Sequence, residues 1–88
     1  MKIEVEWDEE SEEHIWRHQV DPEEVEEVLQ GFTIIRRTRK KRYLVLGQTF
    51  SGRYLAIVVG RKRSGKYRVV TARDMKGSER SYYKRRGK

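Results

Sequence analysis

The sequence predicts a small α+β domain: a strand and two helices packed on an antiparallel sheet of about four to five strands, with a helix at the C-terminus. Three observations carry this. Residues 2–7 alternate between apolar and charged side chains, residues 21–29 hold a full set of helix-start signals, and from Phe32 to Arg73 four short apolar runs are separated by turn residues. With 88 residues the chain has room for one domain, residues 1–88, and one modest core. Charged residues make up 40% and hydrophobic ones 35%, a balance that leans toward disorder; two Trp, five Tyr and clean apolar runs argue for a folded chain.

Lys2 to Trp7 sets Ile3, Val5 and Trp7 against Lys2, Glu4 and Glu6, a strand with one buried face. Asp8 then caps a first helix whose opening turns carry Glu9, Glu10, Glu12 and Glu13, where the helix dipole favours negative charge. This helix runs to about His18 and rests on the sheet through Ile15 and Trp16. Asp21 caps the second helix, with Pro22 in its first position, Glu24 closing a capping box, and Val20 stapled to Val25. Val25, Val28 and Leu29 form its buried stripe, and Gly31 is expected to end it in a left-handed conformation.

The four runs that follow are Phe32 to Thr38, Arg42 to Phe50, Arg53 to Gly60 and Lys66 to Arg73, an antiparallel meander. Arg39-Lys40-Lys41, Ser51-Gly52 and Arg61-Lys62-Arg63-Ser64-Gly65 are its turns. Gly47 inside a strand marks a bulge or a close approach. After Asp74 come a loop, a helix from about Ser78, and a basic tail from Lys84 to Lys88 that is expected to fray.

Charge is distributed unevenly. Residues 1–30 hold twelve acids against Lys2 and Arg17, a balance of −10, whereas residues 31–88 hold nineteen bases against Asp74 and Glu79, a balance of +17. The molecule should therefore have an acidic and a basic side, the basic one being the footprint of a polyanion binder. The acidic side suits orientation on the target or contact with a basic partner protein. Without cysteine there are no disulfides or thiolate metal sites. No apolar signal region and no run of about 20 apolar residues is present, so a cytoplasmic protein without membrane contact is expected.

Some signals point elsewhere and are outweighed. Gly60 to Lys66 satisfies seven positions of a phosphate-binding loop, but Tyr67 stands where a Ser or Thr must hold magnesium, and both flanks read as strands rather than strand and helix. His14 and His18 lie one turn apart without a third ligand motif; no metal is expected, and His18 near the helix end is a secondary proton-transfer candidate. Trp7 and Trp16 read as core, lying as they do among acids. Tyr43, Tyr54, Tyr67, Tyr82 and Tyr83 interleave with Arg and Lys, which suits one or two of them to base stacking.

The densest chemistry lies in Lys66 to Tyr83, where a strand supported by Val69 and Val70 delivers Arg73 to its end and Glu79, Arg80 and Tyr83 follow at helical spacing. Trp7-Asp8, HIWRHQV from His14, DPEEVEEVL from Asp21, GRYL from Gly52, and VTARDM from Val70 followed by Glu79, Arg80 and Tyr83 together resemble the BrnT-type toxins of toxin–antitoxin pairs. The resemblance covers nearly the whole chain and implies a fold similar to that of the RelE-like ribonucleases. It implies an RNA endonuclease directed at mRNA or at RNA generally, held inactive by a cognate DNA-binding antitoxin. Two positions depart from the family: Gln19 replaces a usual Gly, and Lys76 stands where a Thr often caps the last helix.

Cleavage of RNA without a metal or other cofactor needs a base for the 2′-hydroxyl, cations for the charge developing on phosphorus, and an acid for the leaving oxygen. Arg53 and Arg73 are the candidate charge stabilisers. Glu79 is either a base or the orienting partner of Arg73, and Tyr83 an acid or a stacking residue. Arg36, Arg37, Lys40, Arg61, Lys62, Arg63, Lys66 and Arg68, with Arg80, are expected to follow the RNA backbone. A homodimer or a hetero-oligomer with the antitoxin both fit the chain, and a non-catalytic basic module for nucleic acid or a protein partner is the alternative function.

Overall fold

The computed structural model describes residues 3–87. Lys2 of the expected first strand and Lys88 of the expected tail lie outside the described residues. In chain order the elements are β1 (Val5–Glu6), α1 (Glu9–Trp16), α2 (Pro22–Gln30), β2 (Ile34–Arg37), β3 (Arg42–Gln48), β4 (Tyr54–Arg61), β5 (Tyr67–Asp74) and α3 (Gly77–Arg86). They build one five-stranded sheet in the order β1-β5-β4-β3-β2.

The meander of β2 to β5 is antiparallel as its turns dictate, but β1 lies parallel to β5, with Val5 opposite Tyr67, so the sheet is mixed. The Tyr67 N–H donates to the Glu4 carbonyl at 2.8 Å and fixes this edge. A short strand that pairs some sixty positions away leaves no local sign of its direction.

The capping residues act as their chemistry requires. Asp8 accepts from the Ser11 N–H at 2.7 Å; Asp21 accepts from the Glu23 N–H at 2.8 Å, while Glu24 accepts from the Asp21 N–H at 3.0 Å, completing the capping box. α1 is shorter than expected, because the chain turns after Trp16 and Gln19 takes φ 58°, a left-handed conformation that suits the Gly it replaces. Gly31 ends α2 but is extended, with φ −102°, rather than left-handed; its N–H reaches the Val28 carbonyl and the chain runs straight on toward β2. α3 continues through Arg86 where a frayed tail was expected, since Tyr83 anchors its last turns in the core.

The two faces of the sheet are covered differently. α1 lies against β5, and α2 against β3 and β4. Between them and the sheet is the main core: Ile15, Val20, Val25, Val28, Val45, Leu55, Ile57, Val59, Tyr67, Val69 and Ala72. We call this the helical face. Trp7 packs at its margin, and its indole N–H donates to Glu26 at 2.9 Å. Trp16 does not join it and is 54% exposed; Ser11, one turn before Ile15, takes the inward position instead. On the opposite, open face a second cluster of Leu46, Ala56, Met75 and Tyr83 is covered by α3 over part of the sheet only.

Gly47 marks a close approach rather than a bulge: a Cβ there would stand 2.5 Å from Val28 Cγ1. The bulge lies at Val70, where Val59 pairs with Val69 and Val58 with Thr71. The extra residue resets the alternation of β5, so Ala72 enters the core and Arg73 leaves on the open face opposite Ala56.

Candidate catalytic centre and nucleic-acid interface

Arg73 reaches the end of β5 half-buried, beside the first turn of α3. Its guanidinium donates from Nη1 to Glu79 Oε1 at 2.7 Å and from Nη2 to Glu79 Oε2 at 2.9 Å, a bidentate pair. Nη1 also donates to the Asp74 carbonyl at 3.1 Å. Three of the five guanidinium N–H groups are thereby engaged and two are left. Glu79 in turn accepts from the Lys76 N–H at 2.8 Å and closes the start of α3, where Lys76 offers no side-chain acceptor. The hydrogen bonds from Arg73, more than anything else, hold the Glu79 carboxyl below the usual carboxylate range. Glu79 is thus ionised and fully engaged as the partner that orients Arg73.

Arg53 is placed differently. It donates to Asp74 Oδ1 at 2.8 Å, to Glu24 Oε1 at 2.9 Å and to the Gln19 carbonyl at 2.8 Å. Asp74 and Arg73 are neighbours in an extended strand and point to opposite faces, so Arg53 and Arg73 do not share one site. Arg53 ties the α1–α2 turn and the start of α2 to the end of β5, and the Asp74 carboxyl is held low chiefly by its hydrogen bond from Arg53.

Tyr83 is buried, donates its hydroxyl to the Phe32 carbonyl at 2.9 Å, and packs beside Phe32 and Tyr54. Burial pushes its phenol above the ordinary tyrosine value. Tyr67 is likewise a core residue, whereas Tyr54 and Tyr82 are half-buried on the open side. Arg80 and Lys84 each stand 5.3 Å from the Tyr54 ring centre, and Arg36 and Arg86 lie 5.4 and 5.2 Å from that of Tyr82. Lys84 and Arg86 were not singled out from the sequence; their i and i+4 spacing from Arg80 and Tyr82 was the available signal.

The remaining cations gather at the far end of the sheet. Lys40, Lys41, Arg42, Arg61, Lys62 and Arg68 rim a cleft of about 250 Å³ with Gly60 and Val70 on its floor. These floor residues belong to the open face, in line with Val58 and Thr71 and with Arg73 beyond. Three expected RNA contacts are partly spent inside the molecule. Arg68 pairs with Asp8 at 3.0 Å and with Glu10, and Lys66 stands 3.7 Å from Glu6. Lys62 holds Glu6 at 2.6 Å. The acidic and basic parts of the chain are therefore stitched together along the β1 edge.

The rings of His14, in α1, and His18, in the turn after it, lie 5.7 Å apart between centres with their planes tilted by 58°. Among the described residues no group of three or more His, Asp or Glu is placed to hold a metal ion, and no described helix is long and apolar enough to cross a membrane.

A small mixed sheet with one face sealed by helices and the other lined by arginines, with a carboxylate-held guanidinium at a strand end, defines a basic α+β domain. The family model described as "Ribonuclease toxin, BrnT, of type II toxin-antitoxin system" matches residues 7–79, and the chain belongs to that family. It is thus the toxin component of a type II system, of the ribonuclease class, whose counterpart is an antitoxin. None of the curated proteins matches the chain.

Proposed function

We propose that this toxin is a metal-independent endoribonuclease, RelE-like in its use of the open sheet face, that cuts mRNA at Arg73 and so blocks translation. The observation that supports this most is the Arg73–Glu79 pair. A guanidinium fixed on one side by a carboxylate and still holding two N–H donors is preorganised for the non-bridging oxygens of a phosphodiester. As the 2′-oxygen, its proton passing to water, attacks phosphorus and the bond to the 5′-oxygen breaks, charge grows on those oxygens and Arg73 meets it without reorganising; the departing 5′-oxygen takes a proton from water, leaving a 2′,3′-cyclic phosphate. Glu79 acts here as the orienting partner, since protonation by the 2′-hydroxyl would break the contacts that hold it.

Arg53 and Tyr83 serve this centre from a distance. Arg53 is neutralised by Asp74 and Glu24 and anchors the strand end from the helical face. Tyr83 locks α3 to the Phe32 carbonyl, which fixes Glu79. RNA lies across Tyr54, Arg80, Arg73, Val58 and the basic cleft, with Arg36, Lys40, Arg61 and Lys62 meeting phosphates. We place the protein in the cytoplasm with its RNA.

A second reading draws on one observation: both Glu79 and Tyr83 are occupied, which suits a basic module that binds without cutting. Incubation of the antitoxin-free protein with long RNA in EDTA, beside Arg73→Ala, separates the two. Cleavage lost in the variant supports the ribonuclease centre. Intact RNA, with and without ribosomes, together with tight salt-sensitive binding leaves the binding module.

A further inference from the structure

A second basic cleft, of about 440 Å³, opens on the helical side at the same end of the sheet and is lined by Arg37, Lys41, Tyr43, Arg61, Lys62 and Arg63. Lys41, Arg61 and Lys62 line both clefts. Together the clefts form a saddle that passes over the end of the sheet from one face to the other. Among the described residues Arg37, Lys41, Arg61 and Arg63 have no carboxylate at ion-pair distance, unlike Arg53, Arg68 and Arg73. Their charge is uncompensated and available to a ligand.

Two further features mark the saddle as a binding surface. Lys40 and Lys41, at the tip of the β2–β3 hairpin, both have positive φ, 42° and 64°. That conformation favours Asn and Gly, and Lys in both positions keeps charge there against local preference. Tyr43, half-buried in the cleft, meets Tyr67 edge to face at 5.9 Å and is held as a fixed aromatic surface.

We propose that this helical-side cleft is a distal subsite for single-stranded RNA, in which the strand leaves the open face, bends over the hairpin rim and stacks a base on Tyr43. The proposal rests on the ribonuclease reading above and adds a substrate class: RNA long enough to span both clefts. Arg61 lies five residues along β4 from Ala56, the partner of Arg73, which places the rim about 17 Å from the proposed cutting site. Short oligonucleotides reach Arg73 but not Tyr43.

The test measures binding of 2′-O-methyl RNA, which cannot be cut through its 2′-oxygen, at lengths of roughly 3 and 12 nucleotides, bracketing the lower range of single-strand site sizes. The expected result is that Arg37→Ala/Arg63→Ala lowers affinity for the longer RNA by roughly tenfold and flattens its log–log salt slope by about 1.4, two phosphates at about 0.7 each. The preference for long over short RNA should shrink accordingly. Tyr43→Leu should cost more of that preference than Tyr43→Phe, as a stacking role requires. Unchanged affinity for the longer RNA, or equal losses at both lengths, overturns the distal subsite while leaving the Arg73 reading intact. If the unaltered protein binds neither RNA, the distal subsite falls, whereas the Arg73 reading is decided by the cleavage assay with and without ribosomes.

Discussion

Replacing Glu79 by Gln keeps the shape of the side chain and its ability to accept from the Lys76 N–H, but removes the charge that holds Arg73. The pair is neither on the surface nor in the core: the side chains are 31% and 17% exposed. Exposed pairs contribute about 0–1 kcal/mol, and breaking a buried one costs roughly 3–5, so about 2 kcal/mol is expected here. For a domain of this size that lowers the thermal midpoint by about 8–16 °C. The loss should depend on pH in a definite direction. The folded carboxyl of Glu79 titrates below its ordinary value, so the unfolded chain binds the proton more readily. The stabilisation is therefore complete above about pH 4.5 and disappears as pH falls through the folded value. Thermal melts of Glu79→Gln and the unaltered protein should differ at neutral pH and converge in acid. Activity supplies the second readout. Arg73→Ala should reduce cleavage by roughly 10²–10³, the scale for one lost charge-stabilising donor, and Glu79→Gln by about tenfold because the guanidinium remains but is less well aimed. A folded Glu79→Gln protein as inactive as Arg73→Ala would refute this and make Glu79 the base.

Other outcomes follow from single contacts. Gln19→Gly relieves a left-handed residue and should stabilise the fold by about 0.5–1 kcal/mol in chemical denaturation. Gly47→Ala drives a methyl into Val28 and should cost about 1–3 kcal/mol, part of which the further change Val28→Ala restores. Ser11 Oγ is buried without a hydrogen-bond partner among the described residues; Ser11→Ala should be stabilising by about 1 kcal/mol, read from the same denaturation curves. Asp8, held at about 2 by the Ser11 N–H and then by Arg68, should show no carboxyl titration by NMR between pH 7 and 4.

How much of this could be read from residues alone depended on range. Asp21, Pro22 and Glu24 announce α2 because a cap is satisfied within three residues, and Arg73 and Glu79 could be joined because six positions separate them. Arg53 could be chosen as a charged residue near the site, but its partners Gln19, Glu24 and Asp74 are remote in sequence. Its place on the helical face was therefore invisible. Strict alternation from Tyr67 and Val69 would have sent Arg73 into the core, and only pairing with β4 reveals the bulge that turns it outward. Trp16 shows the limit of hydrophobicity as a guide: α1 is so short that one inward stripe, Ser11 and Ile15, covers β5, and the tryptophan is left in water.

The parallel docking of β1 on β5 has a consequence for synthesis of the chain. β1 precedes β5, its partner strand, by some sixty positions, so this edge of the sheet cannot form until β5 has been translated. The main core is in the same position, since Ile15 and Val20 pack with Val69 and Ala72. At about 5–20 residues per second β1 and α1 wait several seconds for β5, while β2, β3 and β4 have partners in one another. The strand that joins β1 to the rest of the sheet is also the one that carries Arg73. A product truncated before β5 thus lacks the β1 edge, the Val69 and Ala72 part of the main core and the proposed cutting residue at once, and on the proposed function activity comes only once β5 and α3 have been made.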